Sequence, residues 1–166
     1  PDEPQFPLRA GLALIAKARA SDTYAERRER LAQQMHAATG RVRLKKKSSN
    51  LFRDRDRAGK PCLDVHGFDH ILQVDPGAGW ADAEGMTSYE NLVLATLACG
   101  VMPTVVPQLK TITLGGAVAG VGIEATSFRY GLMHDGVVEM DILAGDGEVY
   151  LCTPHNEHRD LFFGFP

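Results

Sequence analysis

Cysteine is scarce in this chain, and the three cysteines present, Cys62, Cys99 and Cys152, lie far apart. An odd number at such spacing excludes a disulfide framework and a C-x-x-C metal site. The start of the chain also lacks the basic segment and apolar run of a secretory signal. Together these absences favour an intracellular location, either cytoplasmic or peripheral to a membrane.

The sequence also lacks an uninterrupted apolar run of membrane-spanning length. Residues 91–109 carry no charge, but Gly100, Pro103 and Pro107 would break a spanning helix in its second half. We predict a buried helix followed by buried extended chain. The sequence leaves membrane association open.

Motifs for several kinds of chemistry are missing. The sequence has neither a G-x-S-x-G nucleophile motif nor a P-loop. His66 and His70 are four residues apart, but Gly67 between them and the strand signals around them argue against a helical pair of metal ligands. We interpret both as ordinary loop histidines, assign no metal and identify no catalytic residue.

Acidic residues are scarce in one part of the chain. Nine of the eighteen Lys and Arg residues lie between Arg41 and Lys60, where Asp54 and Asp56 are the only acids, although the net charge is -3. This basic patch favours an anionic partner that binds locally. Nucleic acid is not predicted, because only Phe52 offers a nearby stacking ring and no base-reading helix is indicated.

The remaining composition is that of a globular protein, since 44% of the residues are hydrophobic. Residues 1–40 are predicted to be mainly helical, with a second helix that opens at Thr23 and closes at Gly40. A capping box over residues 87–90 opens a further helix that stops at Gly100. Alternation and turn residues predict short strands at 42–45, 62–65, 70–74, 80–86, 138–142 and 148–153, the last four forming two hairpins. This mixture predicts an α+β fold.

The segment 107–131 interleaves glycines and hydroxyls with small apolar residues. Glycines let a backbone approach a flat ligand closely. Their N–H groups, with the hydroxyls of Thr111, Thr113 and Ser127, are candidate donors to phosphate oxygens or to the polar edge of an isoalloxazine ring. A glycine-rich turn that packs helices is the alternative interpretation.

Within this segment, Gly120-Val-Gly122-Ile-Glu-Ala125 fits the dinucleotide pattern G-x-G-x-x-A. That fingerprint requires a buried strand immediately before it. Residues 113–119 indicate a short turn of helix instead. A Rossmann fold is therefore not favoured.

A second candidate segment is the loop after the first predicted strand. Residues 45–52 combine three lysines, two serines and an asparagine, which suits a pyrophosphate. A solvated basic strand and loop is the alternative interpretation.

The order of these segments carries more information than any one of them. A basic strand, a Ser/Asn loop, a hairpin, a capped helix, a Pro-x-x-x-Thr-x-Thr-x-Gly-Gly segment and a second hairpin follow one another. From Arg41 to Pro166 this order resembles the FAD-binding domain of the vanillyl-alcohol oxidase and p-cresol methylhydroxylase (PCMH) superfamily, the FAD-linked oxidases. Residues 106–109, 113–116 and 120–124, with Tyr130-Gly131, are most similar to the delta-24-sterol reductase (24-dehydrocholesterol reductase) branch.

The resemblance implies a PCMH-type FAD-binding domain with two α/β lobes over residues 41–166, preceded by a helical segment at 1–40. Relatives continue beyond the point that corresponds to Pro166. We therefore expect the domain to be incomplete at its C-terminus and truncated before the substrate domain.

The resemblance also implies which residues hold FAD. The loop after the first strand corresponds to the pyrophosphate loop, and the glycine-rich segment lines the flavin. Members that bind FAD covalently often carry a histidine in that loop, whereas this loop reads Ser-Ser-Asn-Leu, so we expect non-covalent FAD. The implied FAD-binding residues are Lys47, Ser48, Ser49, Asn50, Leu51, Thr111, Thr113, Leu114, Gly115, Gly116, Gly120, Gly122, Ile123, Glu124 and Ser127.

For the sterol branch, the resemblance implies reduction of a sterol-like side-chain alkene through flavin N5, with a lipid-like small molecule as substrate and NADPH as electron donor. Two alternatives stay open. One is an FAD-dependent oxidase of sugar alcohols or aldonolactones. The other is a non-catalytic interaction module that uses the basic patch 41–60 to bind an acidic partner or a membrane surface.

Overall fold

The computed structural model describes residues 10–14, 23–46 and 59–166. The chain divides into two compact units, one formed by residues 1–23 and 68–136 and the other by residues 24–67 and 137–166. Helices and short strands occur in both units, which confirms the α+β class. The PCMH-type arrangement and the domain boundary at residue 40 stay predictions.

The elements follow the predicted order closely. Besides a helical stretch at residues 10–14 and a 3-10 helix at Met133–Gly136, they are α1 (Tyr24–Ala37), β1 (Arg43–Lys45), β2 (Cys62–Asp64), β3 (Ile71–Asp75), β4 (Trp80–Ala83), α2 (Tyr89–Ala98), α3 (Leu114–Ala119), α4 (Ser127–Tyr130), β5 (Met140–Leu143), β6 (Val149–Cys152) and α5 (Arg159–Gly164).

The unit of residues 24–67 and 137–166 contains two separate strand pairs. β1 and β2 are parallel, with Leu44 opposite Leu63. β5 and β6 form the predicted antiparallel hairpin, whose core is Ile142, Cys152 and Phe162. Phe162 is buried at 6% exposure, whereas its neighbours Phe163 and Phe165 are exposed.

Helix α1 is tied to β5 in this unit by a shared acceptor. The Tyr24 hydroxyl donates to Asp141 Oδ2 over 2.7 Å, and the Arg28 guanidinium donates to the same oxygen over 3.3 Å. The helix begins and ends close to the predicted positions, and Gly40 beyond it has a φ of +78°.

The unit of residues 1–23 and 68–136 is built on the β3–β4 hairpin and helix α2. The two strands are antiparallel, with an irregularity between Ile71 and Gln73. Helix α2 and the chain after it supply a core of Tyr89, Leu92, Val105, Ala117 and Met133. Apolar side chains from the segment 112–118 pack into this core, which fixes the glycine-rich segment on one side.

Two local predictions in this unit are wrong. Helix α2 is capped by Ser88, whose side chain accepts from Asn91 N, and not by Thr87. Thr87 is fully buried and donates to another segment. The chain after Gly100 is also not buried throughout, because Met102 and Leu109 are mostly exposed and the prolines among them cannot donate to a strand ladder.

Among the described residues, no helix combines the length and apolar character needed to cross a membrane.

Candidate functional site

The glycine-rich segment is held by a ladder of backbone hydrogen bonds to the start of helix α2. Glu90 N donates to Lys110 O over 3.0 Å, and Tyr89 N donates to Ile112 O over 2.9 Å. Leu114 N then donates to Thr87 O over 2.8 Å. Residues 110–114 therefore lie alongside residues 87–90 with a fixed register.

The ladder continues at a contact between two glycines. Gly115 N donates to Gly85 O over 2.8 Å, and a Cβ atom at residue 115 would lie 3.0 Å from that oxygen. A side chain at residue 115 would push the two backbones apart. Gly85 was not singled out from the sequence, although a glycine inside a predicted strand, here 80–86, is a recognisable signal for close backbone approach.

Helix α3 places bare backbone on its exposed side. Ala117 and Val118 are buried, whereas Gly116, Ala119 and Gly120 are exposed. A Cβ atom at residue 116 would lie 2.9 Å from Thr113 Oγ1, and one at residue 120 would lie 2.8 Å from Gly116 O. This side of the helix is therefore smooth enough for a flat ligand to lie against it.

The glycine N–H groups of this segment already have partners inside the protein. Gly116 N donates to Thr113 Oγ1, which caps the helix, and Gly120 N donates to Gly116 O. Gly115 N and Gly122 N are bonded as well, to Gly85 O and Ala117 O. These N–H groups are therefore not free to donate to phosphate oxygens or to the ring edge, and close approach of a ligand to the glycine backbone stays a prediction.

The end of helix α3 contains a strained residue. Val121 N donates to Val118 O and Gly122 N donates to Ala117 O, which is the Schellman arrangement of a helix C-terminus. The position that glycine usually takes there is occupied by Val121, with a φ of +51°. A β-branched residue in this region stores strain, and such strain often occurs at ligand sites.

Gly122 and Gly131 fold the chain after helix α3 back onto the core. Met133 N donates to Gly122 O, and a Cβ atom at residue 122 would lie 2.8 Å from Met133 Cγ. The Tyr89 hydroxyl donates to Met133 Sδ over 2.9 Å. Burial of this hydroxyl raises the pKa of Tyr89 to about 12. Gly131 has a φ of +80° beside Asp135, whose carboxylate accepts from Leu132 N.

The segment ends in a short loop closed by a serine. The Ser127 hydroxyl accepts from Glu124 N over 3.0 Å, and a hydroxyl that accepts one bond can still donate its own proton. Ile123 and Phe128, which follow the exposed glycines along the chain, are 73% and 90% exposed.

The predicted FAD-binding residues fall into two groups. The structure brings together the ten between Thr111 and Ser127 as one continuous segment. The five from Lys47 to Leu51 lie outside the described residues. On the strand before them, Lys45 Nζ lies 2.8 Å from Asp64 Oδ2, and this ammonium holds the pKa of the Asp64 carboxyl well below its usual range.

One buried polar pair behind the site was not predicted. His70 is 7% exposed, and its ring Nδ1 lies 2.7 Å from Oε2 of Glu84, whose side chain is fully buried. His70 does lie in the loop before β3, as predicted, but its burial and its carboxylate partner make it more than an ordinary loop histidine. His66 behaves differently, since its ring lies 2.8 Å from Asp64 on the exposed end of β2. Within the described residues, no cluster of three or more His, Cys, Asp or Glu side chains is placed to bind a metal ion.

The chemistry of the segment suits an uncharged ring better than a phosphate. No charged residue occurs between Thr111 and Ile123. Its exposed residues are glycines, the hydroxyl-bearing Thr111 and apolar side chains from Ala119 to Ile123. The residues present therefore fit one face or edge of a flat aromatic heterocycle.

Comparison with known proteins gives a family match and several relatives. The sequence profile of a family described as FAD binding domain matches residues 25–153. A Delta(24)-sterol reductase of Pisum sativum is 34% identical over 113 residues, which cover 68% of this chain and 20% of the relative.

Other relatives cover less of the chain. A Delta(24)-sterol reductase of Homo sapiens is 31% identical over 96 residues, covering 58% of this chain and 18% of the relative. Cytokinin dehydrogenase 9 of Oryza sativa subsp. japonica is 32% identical over 94 residues, covering 56% of this chain and 18% of the relative. The chain thus spans about a fifth of the length of these relatives.

Proposed function

Because the chain belongs to the FAD binding domain family, in the FAD-linked oxidase superfamily near the Delta(24)-sterol reductases, we propose that it is the FAD-holding part of a flavin-dependent oxidoreductase. When bound, FAD supplies hydride acceptance and donation. The protein residues described below bind and orient it.

The exposed backbone of helix α3 supports the proposal that two separate segments bind the ring and the pyrophosphate of FAD. The segment from Thr111 to Ile123 carries no charge and exposes glycine backbone. Because such a surface suits a flat uncharged ring, this segment binds the isoalloxazine ring. The hydroxyls of Thr113 and Ser127 each accept one internal bond and keep a proton to donate to the ring edge. The cationic loop from Lys47 to Leu51 takes the pyrophosphate, which needs positive charge that the first segment lacks.

For the whole protein we propose reduction of an alkene in a sterol-like side chain, with NADPH as the electron donor. The names of the matched relatives support the sterol class, and the exposed Ile123 and Phe128 next to the ring site suit a lipid-like substrate. A cytokinin dehydrogenase among the relatives supports the broader oxidoreductase class. No residue of the described chain is assigned as proton donor.

FAD titration of two glycine variants tests the ring site. Gly116 and Gly145 are both exposed and have no positive φ, but only Gly116 lies on the proposed ring surface. We expect the parent and Gly145→Trp to quench FAD fluorescence saturably, and Gly116→Trp to lose saturable quenching while its far-UV circular dichroism is unchanged. Equal binding by both variants would show that the ring lies elsewhere.

The substrate proposal has its own test. Dithionite-reduced holoprotein is mixed with a side-chain-unsaturated sterol or with oxygen, and flavin reoxidation is followed at 450 nm. Reoxidation by the sterol supports the reductase. Rapid reoxidation by oxygen alone supports an oxidase, and salt-sensitive binding of an acidic partner without flavin supports an interaction module.

A further inference from the structure

We infer that His70, Glu84 and Thr87 form a positioning network that fixes the glycine-rich segment at the distance the flavin ring requires, an inference that rests on the proposed function. None of the three belongs to the predicted FAD-binding set. They act through the backbone of residues 84–87, which lies between two other stretches of chain.

All three side chains of this network are buried. The Glu84 side chain is fully buried, His70 is 7% exposed and Thr87 is 0% exposed. Buried polar groups of this kind need good hydrogen-bond partners, because leaving one unpaired is costly.

The three residues contact one another through side chains and backbone. Glu84 Oε2 accepts from His70 N over 2.9 Å and lies 2.7 Å from His70 Nδ1. In the reverse direction, His70 O accepts from Glu84 N over 2.9 Å and from the Thr87 hydroxyl over 3.0 Å. Both polar groups of the His70 backbone are thus tied to the stretch 84–87, so these two pieces of chain move as one.

Backbone hydrogen bonds connect residues 84–87 to the proposed ring site. Gly85 O and Thr87 O accept from Gly115 N and Leu114 N, both over 2.8 Å. Residues 84–87 therefore carry the network on one side and the first turn of helix α3 on the other. A shift of Glu84 or Thr87 would move Gly115, and with it the exposed backbone of Gly116.

The contact between the His70 ring and the Glu84 carboxylate is unusual because it is buried. A structural carboxylate–imidazole contact normally lies at a surface, where it costs little and contributes little. Here the pair is buried behind the ring site, where only well-placed partners make it tolerable. Rigid support of this kind determines how accurately a binding surface is held.

A pair of threonine variants separates positioning from general stability. Thr87 and Thr96 are both buried in the same unit, and each hydroxyl donates to a backbone carbonyl, over 3.0 and 2.9 Å. Only Thr87 belongs to the network. We expect Thr87→Val to weaken FAD binding and to change the visible circular dichroism of bound FAD, and Thr96→Val to leave both unchanged, even where their melting temperatures fall alike.

A second pair tests the carboxylate. Glu84→Ala removes the acceptor of both His70 donors, and we expect FAD to bind it about tenfold more weakly, or worse. Glu84→Gln keeps an oxygen at the same place, so it should recover most of the affinity and the parent's flavin spectrum. If Glu84→Ala does not fold, the threonine pair still decides.

The outcomes separate this inference from the function it rests on. A parent chain that takes up no FAD overturns both. A parent that binds FAD, with Thr87→Val equal to Thr96→Val or Glu84→Ala equal to the parent, overturns the positioning network alone.

Discussion

The amide of Gly115 donates to the carbonyl oxygen of Gly85 over 2.8 Å, and a Cβ atom at residue 115 would lie only 3.0 Å from that oxygen. This contact joins the turn after β4 to the first turn of helix α3. It sets how far the glycine-rich segment stands from the hairpin behind it.

Gly115→Ala should therefore destabilise the unit that contains it. Because the nearest atoms are backbone and cannot rotate away, we expect a loss of about 1–3 kcal/mol in the free energy of unfolding, and weaker FAD binding. Gly164→Ala is the matched control, since Gly164 is also helical and a Cβ atom there would contact nothing within 4 Å. Urea unfolding measures both; an equal response would contradict the tight contact.

Replacing Val121 by asparagine should stabilise the protein. Asn tolerates the left-handed region better than a β-branched residue does, so Val121→Asn should raise the free energy of unfolding by roughly 0.5–1 kcal/mol. Val138→Asn, at another exposed valine, should give no such gain because Val138 does not have a positive φ. A loss at Val121 as large as at Val138 would mean that no strain is stored there.

Tyr89 should make stability fall in alkaline solution. Its pKa is about 12 in the folded chain because of burial, against about 10 when unfolded. The folded state holds the proton more tightly, so this contribution is complete below pH 10 and is lost as pH rises towards 12.

Urea unfolding at a series of alkaline pH values checks this. Tyr89→Phe should make the decline smaller, whereas Tyr130→Phe, with a side chain that is 45% exposed, should leave it as large as in the parent. A parent stability that stays level from pH 10 to pH 12 would be inconsistent with a buried hydroxyl at residue 89.

FAD should be bound without a covalent bond. The loop that we propose takes the pyrophosphate reads Ser48-Ser49-Asn50-Leu51 and contains no histidine to which FAD could be attached. Acid precipitation of the holoprotein should therefore leave all of the yellow colour in the supernatant. Colour that stays in the washed pellet would show a covalent link.

Elements with local signals were predictable from sequence. The residues 76–79 and 145–147 place the two hairpin turns, and Gly100 ends helix α2 close to the predicted point. The helical character of residues 113–119 could also be predicted, because small residues follow a threonine that caps the helix. These features depend on neighbours a few positions apart.

Features that depend on distant partners were not predictable. Alternation from Trp80 places Asp82 and Glu84 on one polar face, but β4 ends at Ala83 and the chain turns Glu84 inward. The Gly85–Gly115 contact joins residues thirty positions apart. The sequence carries no signal for a left-handed backbone at Val121, because only the hydrogen bonds of the folded helix end show which residue adopts it.

The predicted site shows the same limit. The order of segments predicts that residues 111–127 line the flavin, and it suggested their glycine N–H groups as donors to phosphate oxygens or to the edge of the ring. In the fold, the N–H groups of Gly115, Gly116, Gly120 and Gly122 all have internal partners. What we propose these glycines contribute is the absence of side chains on the exposed side of helix α3.

Hydrogen–deuterium exchange with and without FAD tests the central claim most directly. We expect peptides that span Thr111–Ser127 to exchange more slowly when FAD is bound, and peptides of the β5–β6 hairpin to exchange at the same rate. Saturable FAD binding without slower exchange in Thr111–Ser127 would contradict the account, because the flavin would then lie against some other part of the chain.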